Sequence, residues 1–404
     1  MKVLIFTQFF SPEIGATQTR LQTFAAGLAE RGHDVTVICE VPNHPQGIVQ
    51  PGYRGRPVQS RRRDGFRVLH VWVKTSPTKT RLSRLAFYAS YAAMATAVGV
   101  AQTKPDVIFA SSPPLTVAAA AALVAARHRV PWVFDVRDLW PEAAVALGEL
   151  SEGRAFDLVQ KLADGLYGNA AAITAVTEPF REIIAPRVSR PEKVTHLPNG
   201  TTRFWLNAPR VEVDRKELGL EEDRFVWTFA GNVGAAQGLE SAVEAAAVLE
   251  DEGFRLLMLG DGPAKAELEI LAAQRCPGLV QFRPQVAPEV ALRYLRASDA
   301  LLVPLAADPA LAPFIPSKLY DFCAVGRPVI VAAAGEASRV AGRADAALSV
   351  PPGDPLALAQ ALRRLKSDSD LRALLGASGS AFAAKHLREA QMNRLTDVVR
   401  SVIR

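Results

Sequence analysis

Small, basic and acidic side chains in Pro316-Ser317-Lys318-Leu319-Tyr320-Asp321 are spaced to hold a phosphate beside a polyol. Ser317 can cap a short helix that Gly326 ends. The free N–H groups and the positive dipole end of such a helix suit a diphosphate. Lys318 would supply the countercharge, and Leu319 belongs to the same first turn. Asp321 follows Lys318 by three residues, which puts both on one face. A carboxylate there can accept hydrogen bonds from both hydroxyls of a ribose. The same spacing also fits a capped surface helix carrying an i,i+3 ion pair.

A second group is Asp135-Val136-Arg137-Asp138-Leu139-Trp140-Pro141-Glu142, which follows an apolar run. Arg137 could pair with a phosphate, and Asp138 could take a proton from a hydroxyl, with Asp135 and Glu142 as competitors. A structural Arg–Asp pair with a core tryptophan is the alternative. Three glycine-bearing loops join strand-like to helix-like stretches: Gly15-Ala16, Gly231-Asn232 through Gly238, and Gly260-Asp261-Gly262. None is GxGxxG, which disfavours a nicotinamide cofactor. No DxD cluster is present, so no metal is implied. Cys39, Cys276 and Cys323 lie far apart without a CxxC pair, which fits a reducing compartment.

These residues need elements to position them. Apolar runs of strand length alternate with helical patterns, predicting a parallel sheet with crossover helices. In the first half the strands are Lys2–Phe6, Asp34–Cys39, Phe66–Val73, Asp106–Ala110, Trp132–Val136, Ala171–Ala175 and Val194–Leu197. Helices are expected at Thr17–Arg31 and Leu115–Arg129. Pro198-Asn199-Gly200 is a turn signature. The pattern then restarts with strand Phe225–Ala230, helix Gly238–Glu250, strand Phe254–Leu259 and helix Ala264–Arg275, with later strands at Ala300–Pro304 and Pro328–Ala332. The fold class is therefore α/β, with two doubly wound, Rossmann-like domains and a cleft between them. Ligands in such sheets sit outside the carboxyl ends of the strands. The boundaries are 1–203, 204–385 and a terminal helical segment, 386–404.

At 404 residues, 49 % hydrophobic and 22 % charged, the chain can build two cores. The N-terminus lacks the apolar core of a signal peptide. The net charge of +6 is set by residues 50 to 84, which carry ten basic residues (among them Arg54, Arg61, Arg62, Arg63, Lys79, Arg81 and Arg84) and one acid, Asp64. Such a segment suits an anionic membrane surface, a phosphorylated acceptor or nucleic acid, or is a solvated loop. Leu85–Ala101 has seventeen residues without formal charge. Its alanine-rich composition and its place between two strands favour a crossover helix over a spanning one, with membrane contact at the start of that helix as a further option.

In order, "FTQFFSPEIGATQTR", "RGHDVTVI", "DVIFASSPP", "DVRDLWPE", "LPNG", "FAGNVGAAQGLESAVEAA", "LGDGP" and "PSKLYDFCAVGRPVIV" cover nearly the whole chain. Together they resemble the retaining glycosyltransferases of family four, with the GT-B fold. "RDLWPE" and "GN-x-G-x-x-QGL" are similar to the WbuB-like branch, bacterial enzymes of O-antigen, capsule and exopolysaccharide synthesis. The resemblance implies that the second domain binds a nucleotide sugar. Gly15, Gly231, Asn232 and Gly262 would approach it, Ser317, Lys318 and Leu319 would hold its phosphates, Asp321 its ribose, and Arg283 its base. Arg137 and Asp138 would stand at the donor sugar. The sequence departs from the family at Pro313, where a first glutamate is usual, and at Asn232 and Gln237, where Arg and Lys are usual. Asp321 stands for a glutamate.

The implied activity is transfer, with retention, of a hexose or an N-acetylated or deoxy hexosamine from a UDP-sugar. The acceptor would be a saccharide or a polyprenyl-diphosphate-linked sugar at the inner membrane face. No cofactor, metal or nucleic acid is expected, and the location would be cytoplasmic and peripheral to the membrane. A UDP-sugar 2-epimerase of the same architecture and a non-catalytic nucleotide-sugar-binding subunit are the alternatives.

Overall fold

The computed structural model describes the chain except Ile14, Pro45, Lys79, residues 147–149, 151–152 and 209–212, and Arg404; the side chains of Arg81 and Ala146 also lie outside the description. The chain forms two compact units, Met1–Asn199 with Arg388–Arg404, and Gly200–Leu387.

The first unit is an eight-stranded sheet in the order β3-β4-β2-β1-β5-β6-β7-β8. The strands are β1 Lys2–Phe6, β2 Asp34–Glu40, β3 Val58–Arg63, β4 Phe66–Val71, β5 Val107–Ser112, β6 Trp132–Val136, β7 Ala172–Ala175 and β8 Val194–His196. All pairs are parallel except β3–β4. Helices cover the sheet, so β1, β5 and β6 read as almost unbroken apolar runs. On one side Leu21, Phe24 and Leu28 of helix Ala16–Glu30 pack with Val3, Ile5, Val35, Val37 and Phe109. Met392, Leu395 and Val399 of the terminal helix, Arg388–Ser401, close the same cluster. Burying side chains of this kind contributes about 2 kcal/mol each.

The second unit is a six-stranded, wholly parallel sheet in the order β11-β10-β9-β12-β13-β14. Its strands are β9 Phe225–Ala230, β10 Phe254–Leu259, β11 Val280–Arg283, β12 Ala300–Pro304, β13 Val329–Ala332 and β14 Leu348–Val350. Ala230, Leu259 and Arg283 are in register, so three strands end together and their loops leave the sheet side by side.

The units part between Asn199 and Gly200 and between Leu387 and Arg388, against the 203 and 385 read from the sequence. The basic segment is not the solvated loop that its charge allows. It contains the edge strand β3, turned onto β4 by Asp64 (φ 47°) and Gly65 (φ 81°). Asp-Gly is a hairpin signature, present in the sequence but not used in the reading above. Exposed Arg61, Arg62 and Arg63 line β3, a charge pattern that keeps a sheet edge from pairing with another chain. Lys79 and the Arg81 side chain, also counted in that segment, lie outside the described residues. The uncharged stretch Leu85–Ala101 lies mostly in helix Arg81–Val100, the crossover between β4 and β5. Among the described residues, no helix is long and apolar enough to cross a membrane.

Candidate functional site

In the second unit the strand-end loops are packed backbone against backbone. A Cβ on Gly260 would stand 1.9 Å from the Gly231 carbonyl oxygen, and one on Gly262 would stand 2.2 Å from that of Val233. The glycines let the loops after β9 and β10 interlock, so their first role is to build the loops. Gln237, where the family usually has Lys, accepts from the Gly234 amide at 3.1 Å and clasps the first loop. Asn232 is exposed beside it, its amide folded toward Gly234.

Lys318 begins helix Lys318–Val325. Its ammonium lies 3.8 Å from the centre of the Phe229 ring, against the backbone of Gly231. It is buried, and no hydrogen-bond acceptor meets it among the described residues. Burial lowers its pKa to about 7. An ammonium facing an aromatic ring keeps some stabilisation, but its three donors remain unused. An incoming anion would supply what is missing.

The other predicted residues differ in what they offer. Ser317 stands at the helix start in helical conformation, yet its side chain makes no capping hydrogen bond. Leu319 is fully buried in the core, and its amide donates to the Pro316 carbonyl, so neither is free for a ligand. Asp321 Oδ1 accepts from the Thr201 hydroxyl at 2.9 Å. Thr201 is itself fully buried, its amide bonded to the His386 carbonyl. Arg283 ends β11 with its guanidinium over Gly219, and its Nε is buried without a partner among the described residues.

In the first unit, register places Ser112 of β5 beside Val136 of β6, immediately before Arg137. Arg137 donates from Nε to the Ser112 carbonyl at 2.9 Å, and burial lowers its pKa, partly opposed by Asp138 and Asp135. Burial raises the pKa of Asp138, partly opposed by Arg137. Among the described residues no hydrogen bond is directed at the Asp138 carboxylate. Its competitors differ. Asp135 is completely buried and accepts from Arg20, Ser111 and Thr174. Glu142 pairs through Oε1 with Arg187 at 3.4 Å, and its Oε2 is buried without a hydrogen-bond partner among the described residues. Gly15 caps helix Ala16–Glu30, and the space its missing side chain leaves is taken by Gln18, whose Oε1 would lie 2.4 Å from a Cβ there. The sequence reading missed Arg20, Thr201 and Gln237 as partners. Only Gln237 had a signal, its place in a glycine-rich loop.

Residues 15–200 match the family Glycosyl transferase 4-like domain, and residues 224–368 match Glycosyl transferases group 1. WcaI of Escherichia coli (strain K12), a glycosyl transferase named for colanic acid biosynthesis, is 28 % identical over 345 residues, 82 % of this chain and 83 % of that protein. The amylovoran biosynthesis glycosyltransferase AmsK of Erwinia amylovora is 33 % identical over 189 residues, 41 % of this chain and 46 % of that one. Among solved structures, sucrose-phosphate synthase from Thermosynechococcus elongatus aligns with a TM-score of 0.74 at 19 % identity, covering 99 % of this chain and 98 % of that one. Anabaena HepE aligns with a TM-score of 0.73 at 16 % identity, covering 99 % and 100 %. With a glycosyl transferase 4-like domain followed by a group 1 domain, the chain belongs to the glycosyltransferases of the GT-B fold.

Proposed function

We propose that the chain transfers a hexose, or an N-acetylated or deoxy hexosamine, from a UDP-sugar to a saccharide or polyprenyl-diphosphate-linked acceptor, with retention, in bacterial surface-polysaccharide synthesis. The buried, unpartnered ammonium of Lys318 carries this reading. A diphosphate at the helix start would receive the Lys318 charge and the amides of Ser317 and Lys318, and these groups would stabilise the leaving diphosphate. Asp321 would take the ribose by exchanging the hydrogen bond that it makes with Thr201. Asp138 would orient the acceptor hydroxyl or accept its proton, since Asp135 is fully bonded and Glu142 is paired with Arg187. Relatives named for colanic acid and amylovoran support the polysaccharide context, and a HepE structure in complex with UDP-glucose supports the donor class.

The acceptor reading includes a membrane surface. Leu82 and Leu85, 80 % and 66 % exposed, start helix Arg81–Val100. Arg56, Arg62 and Lys74 are exposed in the basic segment. Each such charge near anionic lipid is worth about 1 kcal/mol.

Incubation of the protein with a panel of UDP-sugars, with and without lipid-linked acceptor, tests the reading. UDP release that depends on acceptor is the expected outcome. An epimerised nucleotide sugar without UDP release would make the protein an isomerase, and binding without turnover would make it a sensor.

A further inference from the structure

Two buried glutamates beside the β1 and β2 ends take no part in the function proposed above. Glu40 ends β2 and is 2 % exposed; Glu13, in the loop after β1, is 7 % exposed. One asparagine bridges them. Glu40 Oε1 accepts from Asn43 Nδ2 at 2.7 Å, while Glu13 Oε1 accepts from the backbone amides of Asn43 and His44, each at 2.7 Å. The second oxygen of each carboxyl is buried and has no hydrogen-bond partner among the described residues. Neither forms an ion pair among the described residues.

The surroundings offer no cation in contact. Gln8 turns its amide toward Glu40, and Gln18 faces Glu13 from helix Ala16–Glu30. Cys39 and Tyr91 are buried and held neutral, their pKa values raised well above normal by burial. His70 contacts Cys39 Sγ at 3.3 Å and the Glu40 carbonyl at 3.2 Å; burial lowers its pKa to about 4, so it is neutral. His44 meets the edge of the Phe9 ring. Tyr53 carries Arg61 over its ring at 4.0 Å, and Arg63 is bonded to Ser11 Oγ. Those two arginines belong to the exposed edge strand and neutralise neither carboxylate.

We propose that Glu13 and Glu40 hold one proton between them and that this neutral-plus-charged pair clasps the loop after β1 onto the turn after β2, positioning the loop that leads to Gly15. A proton on one carboxyl halves the buried charge gathered around Asn43, whereas two ionised carboxylates would be buried without a cation and would repel each other. Burial raises both pKa values, that of Glu40 well above its ordinary value, with the charge of Glu13 adding to the shift at Glu40. The stabilisation is therefore fully present at acidic pH and is lost as pH rises through the folded value. Loss of the proton to solvent leaves two negative charges on Asn43, and the clasp opens. Glu13 and Glu40 are positioning residues in this scheme and touch no substrate.

Infrared difference spectroscopy and hydrogen exchange on the whole chain, with no ligand present, test the proposal separately from the transferase reading. A protonated carboxyl band should be present at neutral pH, vanish in alkali and be missing in Glu40→Gln. Exchange of residues 7–18, corrected for the intrinsic rate, should show an opening constant rising about tenfold per pH unit above the transition. Glu40→Gln, an isostere of the protonated acid, should flatten that dependence. No acid band at neutral pH, or loop protection unchanged from neutral to alkaline pH in the wild type, overturns the proposal. If Glu40→Gln does not fold, the wild-type band and its titration decide alone.

Discussion

Arg20 and Asp135 are 115 positions apart in the chain and form a completely buried pair, Nη2 to Oδ1 at 3.0 Å and Nε to Oδ2 at 3.4 Å. Arg20 also donates to the carbonyls of Leu197 and Pro198 and to the Asn199 side chain, so one guanidinium joins helix Ala16–Glu30, β6 and the end of the first unit's chain. Ser111 and Thr174 complete the Asp135 shell from β5 and β7. Burial alone would raise the Asp135 pKa; the charge and hydrogen bonds of Arg20, with Arg137 and Thr174, outweigh it and hold it below 3.8.

Asp135→Asn leaves Arg20 charged, buried and without its counterion. A loss of about 3–5 kcal/mol in the first unit is expected, read by denaturant unfolding. Because the folded pKa is depressed, the pair's contribution is present above the unfolded value and disappears as pH falls through the folded one, below 3.8. A wild-type-like unfolding midpoint in the variant would contradict this account.

Lys318→Ala should leave the fold intact and remove a charged contact worth about 2–3 kcal/mol, roughly thirty- to a hundredfold in kcat/KM with the UDP-sugar. Unchanged kinetics in a soluble variant would take Lys318 out of the site.

The same ammonium predicts a pH dependence. With its free pKa lowered to about 7 by burial, Lys318 is increasingly neutral above that pH, while a bound diphosphate favours the charged form. Donor affinity should fall as pH rises past about 7, with uptake of a proton on binding. Calorimetry in buffers of different ionisation enthalpy measures that uptake, and Lys318→Met should abolish it. Equal heats in all buffers for the wild type would refute the coupling.

Asp138→Asn should reduce turnover more than donor affinity, since the carboxylate is proposed to act on the acceptor. UDP binding and single-turnover rates separate the two effects. Parallel losses in both would make Asp138 a structural residue.

Gln at Arg61, Arg62 and Arg63 should weaken sedimentation with anionic liposomes at low salt, and wild-type binding should decline steeply as salt screens the surface. Transfer to a water-soluble acceptor should persist, although Arg63 also binds Ser11. No wild-type sedimentation at low salt would return β3 to the role of a guarded edge.

Much of the architecture was legible in local pattern. Strands such as Trp132–Val136, Phe225–Ala230 and Phe254–Leu259 appear where apolar runs predicted them, because a strand covered on both faces must be apolar throughout. Glycines at 231 and 262 marked strand-end loops for a related reason, the close approach of backbone to backbone. Tertiary structure alone decided which polar groups were spent and which left over. Asp135 and Asp138 look interchangeable in "DVRDLWPE", yet one is bonded to an arginine from the first helix and the other has only the charge of its neighbour Arg137. Lys318 and Asp321, spaced for an ion pair, instead face Phe229 and Thr201. Helical spacing sets which neighbours a side chain can reach within its own turn, but hydrogen-bond partners and desolvation come from elements distant in the chain, and these determine the charge each group carries.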